Sequence, residues 1–174
     1  MEPFLDFILE KKWKIISTIL FVVVFVLFLV LSNDSMVRIV LPKADGTGYF
    51  FEYRLIAKQH GLNNKIRRIV EEVMLGSSEE LYRNPYAETA RYISSFIVDD
   101  TLYLNLNIDT VNQYREAIPG SDNTSLALLK GLVNSVCLNV PSIKRVKFLF
   151  DGISSDYIGV DGPFKDGIEP DYSI

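Results

Sequence analysis

Cysteine, histidine and tryptophan each occur once in this chain of 174 residues, and these scarcities exclude several kinds of chemistry. A zinc site of the usual kind needs several Cys or His ligands, which this chain does not have. A catalytic triad would have to use His60, and no Gly-x-Ser-x-Gly motif accompanies it. One cysteine cannot form an intramolecular disulfide. Cys137 falls on the apolar stripe of a predicted helix, where we expect packing rather than reactivity.

Carboxylates are the remaining side chains that could carry acid/base chemistry or bind calcium. The candidates are Asp99, Asp100, Asp151, Asp156, Asp161 and Asp166. The spacing of five among the last four does not match an EF-hand loop. Asp beside Gly is also a common turn composition. We therefore predict no catalytic, cofactor-binding or metal-binding residues, and we predict that the protein is not an enzyme.

A long apolar run stands near the N-terminus, from Ile15 to Leu31, with no charged residue in 17 positions. This length is near the lower limit for a helix that crosses a bilayer. Lys11, Lys12 and Lys14 precede the run, which places the N-terminus in the cytoplasm by the positive-inside rule. A cleaved signal peptide and a buried core helix are the alternatives. No small-x-small cleavage site follows the run, which favours an uncleaved, single-pass anchor in the cytoplasmic membrane.

The charge distribution separates this anchor from the rest of the chain. Three lysines balance three acidic residues in residues 1–31, so the net charge of -4 lies in residues 32–174. An acidic exported domain argues against nucleic acid as a partner. We predict a cytoplasmic segment (1–14), a transmembrane anchor (15–31), a short joint (32–36), an extracytoplasmic domain (37–167) and a C-terminal tail (168–174).

Alternating and helical patterns follow one another along the exported part. Period-two alternation predicts strands from Met36 to Leu41, Tyr49 to Ala57, Tyr92 to Val98 and Thr101 to Asn107. Helical spacing predicts a helix whose buried face is Ile66, Ile69, Val70, Val73 and Met74. The predicted fold is α+β: a small, mostly antiparallel sheet with helices packed on one face, preceded by the single N-terminal transmembrane helix.

The most regular stretch runs from Ser125 to Gly152. Leu126, Leu129, Val133, Val136, Cys137 and Val140 recur at spacings of three and four and share one face of a helix. Pro141 ends that helix. Val146, Phe148 and Phe150 then alternate with outward residues in a strand.

This stretch, together with TLYLNLN at residues 101–107, resembles the GerMN domain associated with sporulation and spore germination. The matching positions are Leu132, Val133, Asn134, Ser135, Pro141, Lys144 to Phe150, and Asp151-Gly152. The resemblance covers about Val37 to Gly167. Asp100 replaces the usual turn glycine of that family, and many of its members are lipoproteins. The resemblance implies an extracytoplasmic interaction domain of the bacterial envelope with no established active site.

We therefore predict an envelope protein that binds another envelope protein or itself, in sporulation, germination or envelope assembly. Its membrane contact is expected through Ile15 to Leu31. The alternative is a module that binds peptidoglycan or another wall polymer, or a weak carboxylate-based hydrolase, with aromatic side chains of the irregular segment 77–88 as sugar-stacking platforms. The predicted interaction residues are Tyr82, Tyr86, Lys144, Arg145 and Lys147.

Overall fold

The structure is a computed structural model that describes residues 2–31, 34–43, 48–78, 84, 86, 88–112, 124–154 and 164–172. The chain forms two compact units, residues 1–35 and residues 36–174. The finer domain boundaries given above stay predictions.

The first unit contains helix α1, Glu2–Leu31. Within the described ranges, no helix combines the length and apolarity that crossing a membrane requires. The predicted transmembrane helix from Ile15 to Leu31 is therefore wrong.

The second unit is built from six strands and three helices among its described residues. The strands are β1 (Asp34–Pro42), β2 (Tyr49–Ala57), β3 (Tyr92–Val98), β4 (Thr101–Leu106), β5 (Arg145–Phe150) and β6 (Ile153–Ser154). The helices are α2 (Leu62–Met74), α3 (Asp109–Asn112) and α4 (Thr124–Asn139). The α+β part of the prediction is confirmed.

The strands form two sheets where the sequence predicted one. β1 and β2 make a two-stranded sheet, and the other four make a sheet in the order β3-β4-β5-β6. β3 pairs with β4 in antiparallel fashion and β5 pairs with β6 likewise, while β4 and β5 run parallel. Asp151 and Gly152 form the β5–β6 turn with positive φ angles of 50° and 83°, the conformation of a two-residue hairpin turn.

The core lies between α2, α4 and the inner face of the four-stranded sheet. From this sheet it takes Leu102, Leu104, Leu106, Val146, Phe148 and Phe150, all buried. From α2 it takes the five apolar residues that the helical pattern predicts. α4 differs from the one-faced helix that its spacing predicts, because residues 131–137 are all buried.

One covered side of α4 lies against β1. The Asn139 amide accepts a hydrogen bond from the Arg38 backbone N–H (2.9 Å) and donates one to the Arg38 carbonyl (2.7 Å). One turn earlier, the Ser135 hydroxyl accepts from the Val40 N–H (2.8 Å) and donates to the Gly131 carbonyl (2.7 Å). The side chains of α4 thus pair with the edge of β1 as a neighbouring strand would.

Gly131 allows this close approach. A Cβ at this position would lie 3.0 Å from the Val40 carbonyl oxygen, closer than side-chain atoms normally come to a backbone oxygen. The residues at 131, 135 and 139 lie four apart and therefore share one stripe of the helix. This stripe is the part of α4 that closes the β1 edge.

The C-terminal segment covers another side of α4 and one edge of the larger sheet. Ile168 is buried, and its backbone exchanges two hydrogen bonds with Val146 of β5 (2.8 and 2.9 Å). The Asp171 N–H donates to the buried Asn134 side-chain oxygen at 2.9 Å. The polar residue that interrupts α4 therefore bonds to a neighbouring loop and holds the chain end in place.

Candidate interaction surface

The outer face of the four-stranded sheet carries a row of aromatic and basic side chains that are exposed or half-buried. Register places Phe96 of β3 beside Tyr103 of β4, and Tyr103 beside Lys147 of β5. The rings of Phe96 and Tyr103 stack with centroids 4.6 Å apart and planes 7° apart. The Lys147 ammonium lies 5.8 Å from the Tyr103 ring centroid, within range of a cation–π contact. Phe96 is 49% exposed, so the aromatic row borders solvent.

Of the three basic residues predicted for interaction, Arg145 and Lys147 lie on this face, because both pair with outward residues of β4. Lys144 is exposed at the entry to β5, and Arg145 and Lys147 are half-buried on the strand. Arg145 forms an ion pair with Glu169 at 3.6 Å, which partly neutralises its charge. Lys147 has no carboxylate partner in the part of the chain that the structure describes. The role of these residues in binding stays a prediction.

The two predicted tyrosines do not add to this surface. Tyr82 lies outside the described residues. Tyr86 is buried, and its hydroxyl donates to the Leu128 carbonyl at 3.0 Å. The ring packs in the core and the hydroxyl has its hydrogen-bond acceptor there. Tyr86 therefore offers no exposed ring for stacking against a sugar. An alternating or helical pattern could have revealed this burial, but the segment around Tyr86 has neither.

The free edge of the four-stranded sheet is β3. Backbone hydrogen bonds join β3 to β4 on one side, and no described residue bonds to its backbone on the other. Its sequence YISSFIV contains no charged residue and no proline. A register shift between Tyr92 and Ser94 marks a bulge at the start of the strand. Apart from this bulge, the strand has none of the features, such as charged residues or proline, that prevent exposed edge strands from pairing with other molecules.

A cleft of about 650 Å³ opens beside the N-terminal end of β3. Apolar atoms come from Met74, Leu75 and Ala90, and the remaining lining residues are Arg68, Glu71, Asn84, Glu88, Arg91 and Tyr92. Two arginines offset two glutamates, so the cleft presents no strong charge of one sign. It has the size of a small-molecule site without a convergent set of groups of one charge.

Sequence reasoning missed a buried ionic cluster around Arg54 of β2. Its guanidinium contacts the Glu52 carboxylate at 2.6 Å and the Glu72 carboxylate at 3.1 Å. It also donates to the Glu72 and Gly76 carbonyls, which caps the C-terminal end of α2. The alternation of β2 contained the signal, because it places Glu52 and Arg54 on the same face as the buried Ile56.

The pKa of Glu52 reflects both its burial and its hydrogen bonds in this cluster. Burial raises the pKa of its carboxyl, but hydrogen bonds from Ser77, Arg54 and the Ser78 N–H, with the Arg54 charge, lower it below the ordinary value. The carboxylate is therefore held ionised. All of its partners belong to the fold, so the cluster fastens β2 to α2 and leaves no acid or base free for catalysis.

The described groups that could carry chemistry lie apart. Asp99 and Asp100 form the β3–β4 turn, whereas Asp151 follows the other end of β5. Because β4 and β5 run parallel over six paired residues, these carboxylates are separated by roughly 20 Å of sheet. Asp166 is exposed in the C-terminal segment, and Asp156 and Asp161 lie outside the described residues. Burial raises the pKa of the Cys137 thiol to about 12, although Lys144 lowers it, so this thiol is a poor nucleophile.

Comparisons with solved structures identify the fold. The first GerMN domain of the sporulation protein GerM from Bacillus subtilis matches with a TM-score of 0.55 at 13% identity, covering 78% of this chain and 97% of that one. The tandem GerMN domains of the same protein match with a TM-score of 0.55 at 13% identity, covering 78% of this chain and 46% of that one. These identities establish similarity of fold alone.

A third solved structure is described as a putative lipoprotein from Clostridium perfringens. It matches with a TM-score of 0.44 at 18% identity, covering 74% of this chain and 83% of that one. No curated protein matches the sequence.

The sequence itself matches a family model. That model is Germane, described as sporulation and spore germination, and it matches residues 40–156. The match takes in β2, α2, the four-stranded sheet and the α4 stripe, and it confirms the family resemblance of residues 125–152. Because the model spans well over half of the chain, the protein belongs to the Germane family and carries a GerMN domain.

Proposed function

We propose that this protein is a non-enzymatic interaction component of the bacterial cell envelope, acting in sporulation, germination or envelope assembly. Its partner is another envelope protein, which docks an acidic segment on the outer face of the four-stranded sheet. Membership of a sporulation and germination family supports the process. The proposed location is extracytoplasmic, which is what the resemblance to the GerMN domain implies.

The observation that carries the proposal is the row of Phe96, Tyr103 and Lys147. Exposed stacked aromatics provide a rigid apolar contact surface, and aromatic residues are enriched where proteins bind one another. Register fixes the three side chains on adjacent strands, so little conformational freedom is lost on binding.

Charge favours an acidic partner segment. Lys147 carries positive charge at this face, although the chain as a whole is acidic. Opposite charge on the partner would speed its encounter and fix its register.

The proposal against catalysis rests on geometry. Asp99 and Asp100 lie at the opposite end of the sheet from Asp151, and the carboxylates of the Arg54 cluster are bound within the fold. The wall-polymer alternative loses Tyr86 as a stacking platform, because that ring is buried.

Photo-crosslinking from Tyr103 in intact cells tests the proposal. A crosslinkable residue in place of Tyr103 should trap a defined acidic protein, and Lys147→Glu should reduce that product about tenfold by reversing the charge. Tyr53→Ala is the matched control, since Tyr53 is an exposed aromatic beside a cation on the smaller sheet. We expect this control to leave the product unchanged. Absence of any product, or a product insensitive to Lys147→Glu, would contradict the proposal.

A further inference from the structure

The free edge strand β3 has a composition that invites pairing with another strand. Its exposed apolar side chains are Ile93, Phe96 and Val98, each between 47% and 49% exposed. No lysine, glutamate or proline interrupts Tyr92 to Val98. Natural sheets normally place such residues on an exposed edge to prevent pairing between molecules. An edge that lacks them is available to a partner strand.

Backbone geometry gives the same indication. In an antiparallel ladder the N–H and C=O groups of alternate residues point toward one neighbour, so the groups of the remaining residues point outward. In β3 these outward groups have no bonding partner among the described residues. A second strand would satisfy them without any change in the fold.

The charges that flank β3 select the occupant. Arg91 precedes the strand and Asp99 follows it, both exposed and both without an ion-pair partner in the described part of the chain. Antiparallel pairing of two β3 strands about a two-fold axis at Ser95 brings Arg91 of each copy opposite Asp99 of the other. A shift by one residue at the bulge would bring Arg91 opposite Asp100 instead, so opposite charges meet in either register. Parallel pairing would instead bring like charges together at each end.

The opposite side of the sheet determines the size of the assembly. β5 is covered there by β6 and by the backbone of Ile168. Among the described residues the four-stranded sheet therefore has one open edge, and pairing through it uses the same surface on both copies. Such an isologous contact closes at two subunits and does not continue into a fibre.

We propose that two copies of this chain associate through antiparallel β3–β3 pairing, which joins two four-stranded sheets into one of eight strands. The contact uses the strand edge, whereas the proposed acidic partner uses the sheet face. The dimer therefore does not depend on the proposed function.

A charge-reversal mixing experiment tests the dimer. The full chain is kept in mild detergent, because α1 exposes apolar side chains, and its mass is measured by analytical ultracentrifugation. Arg91→Glu alone and Asp99→Lys alone each place like charges at both ends of the contact. Each should raise the dimer dissociation constant about tenfold or more. Mixing the two variants restores two opposite-charge contacts, so the mixture should form heterodimers with wild-type affinity.

Two further variants separate this outcome from misfolding and from face binding. Val98→Lys adds a charge to the edge and should also abolish the dimer, while circular dichroism reports whether each variant folds. Lys147→Glu lies on the sheet face and should leave the dimer intact. A monomeric wild-type chain, single variants that still dimerise, or a mixture that stays monomeric would overturn the proposal. Binding of an unrelated extended peptide to β3 of a monomeric chain would assign the edge to another partner and overturn it as well.

Discussion

The two edge strands β1 and β3 solve the same physical problem in opposite ways. Both expose a row of backbone N–H and C=O groups to whatever lies beside them. At β1 the Ser135 and Asn139 side chains of α4 satisfy these groups from within the chain. At β3 nothing in the described residues does so. The same chain therefore closes part of one strand edge with side chains of its own helix and leaves another edge unpaired in the residues that the structure describes.

Among the variants that test the closed β1 edge, substitutions of Gly131 should cause the largest loss of stability. Gly131→Ala would improve helix propensity by about 0.5–1 kcal/mol if propensity alone decided the result. The new Cβ would lie 3.0 Å from the Val40 carbonyl, however, and must force α4 away from β1. We expect a net loss of about 1–3 kcal/mol in the free energy of unfolding, and a larger loss for Gly131→Val. Urea denaturation measures both. A more stable Gly131→Ala protein would show that α4 does not close this edge tightly.

Removing one hydrogen bond at the closed edge should have an effect of about the same size as Gly131→Ala and smaller than Gly131→Val. Ser135→Ala leaves the buried Val40 N–H without a partner, which should cost about 1–3 kcal/mol. The matched control is Ser94→Ala on the open strand, where the hydroxyl is exposed and the change should stay within about 0.5 kcal/mol. The difference between the two variants, measured by thermal unfolding, sharpens the comparison. Equal effects would mean that the α4 side chains add nothing to the β1 edge.

The smallest expected effect is a loss of folding stability at low pH, through the protonation of Glu52. The pKa of Glu52 lies below its ordinary value of 4.5, so its ionised form stabilises the folded protein above that value. This stability should be lost as pH falls from about 4.5 through the lower folded pKa, because the unfolded chain binds the proton first. Glu52→Gln should be less stable at neutral pH and should flatten this part of the stability curve.

Hydrogen exchange locates the change. Acid should raise exchange in β2 and the end of α2, which the Arg54 cluster joins, before it raises exchange in β4 and β5. A uniform change over both sheets would contradict this assignment.

Local pattern predicted the elements well where one pattern governs a whole element. The Asp99-Asp100 turn joins β3 and β4 at the predicted positions, and β5 alternates between buried and outward residues as its sequence indicates. The five predicted residues of α2 are all buried. In these elements each side chain meets a single environment, so period alone determines burial.

Prediction failed where burial depends on residues far along the chain. The α4 spacing indicated one apolar face, but β1 and the C-terminal segment cover other sides, and their contacts with α4 span 37 to 101 residues. No local signal distinguishes Ser135 or Asn139 from an exposed polar residue. The membrane prediction rested on the uncharged run from Ile15 to Leu31 and on the lysines before it, and the structure has no helix that fits it among the described residues. Sequence named Lys147 but not Phe96 or Tyr103, because strand register had to be known before these rings could be placed beside it.

The long separation between β1 and α4 has a consequence for synthesis. Val40 leaves the ribosome 95 residues before Ser135, its hydrogen-bonding partner. At about 5–20 residues per second, the β1 edge stays uncovered for roughly 5–20 s in every new chain. During that interval β1 exposes backbone groups that α4 later binds, so a nascent chain can form wrong strand pairs at β1 that the folded chain cannot.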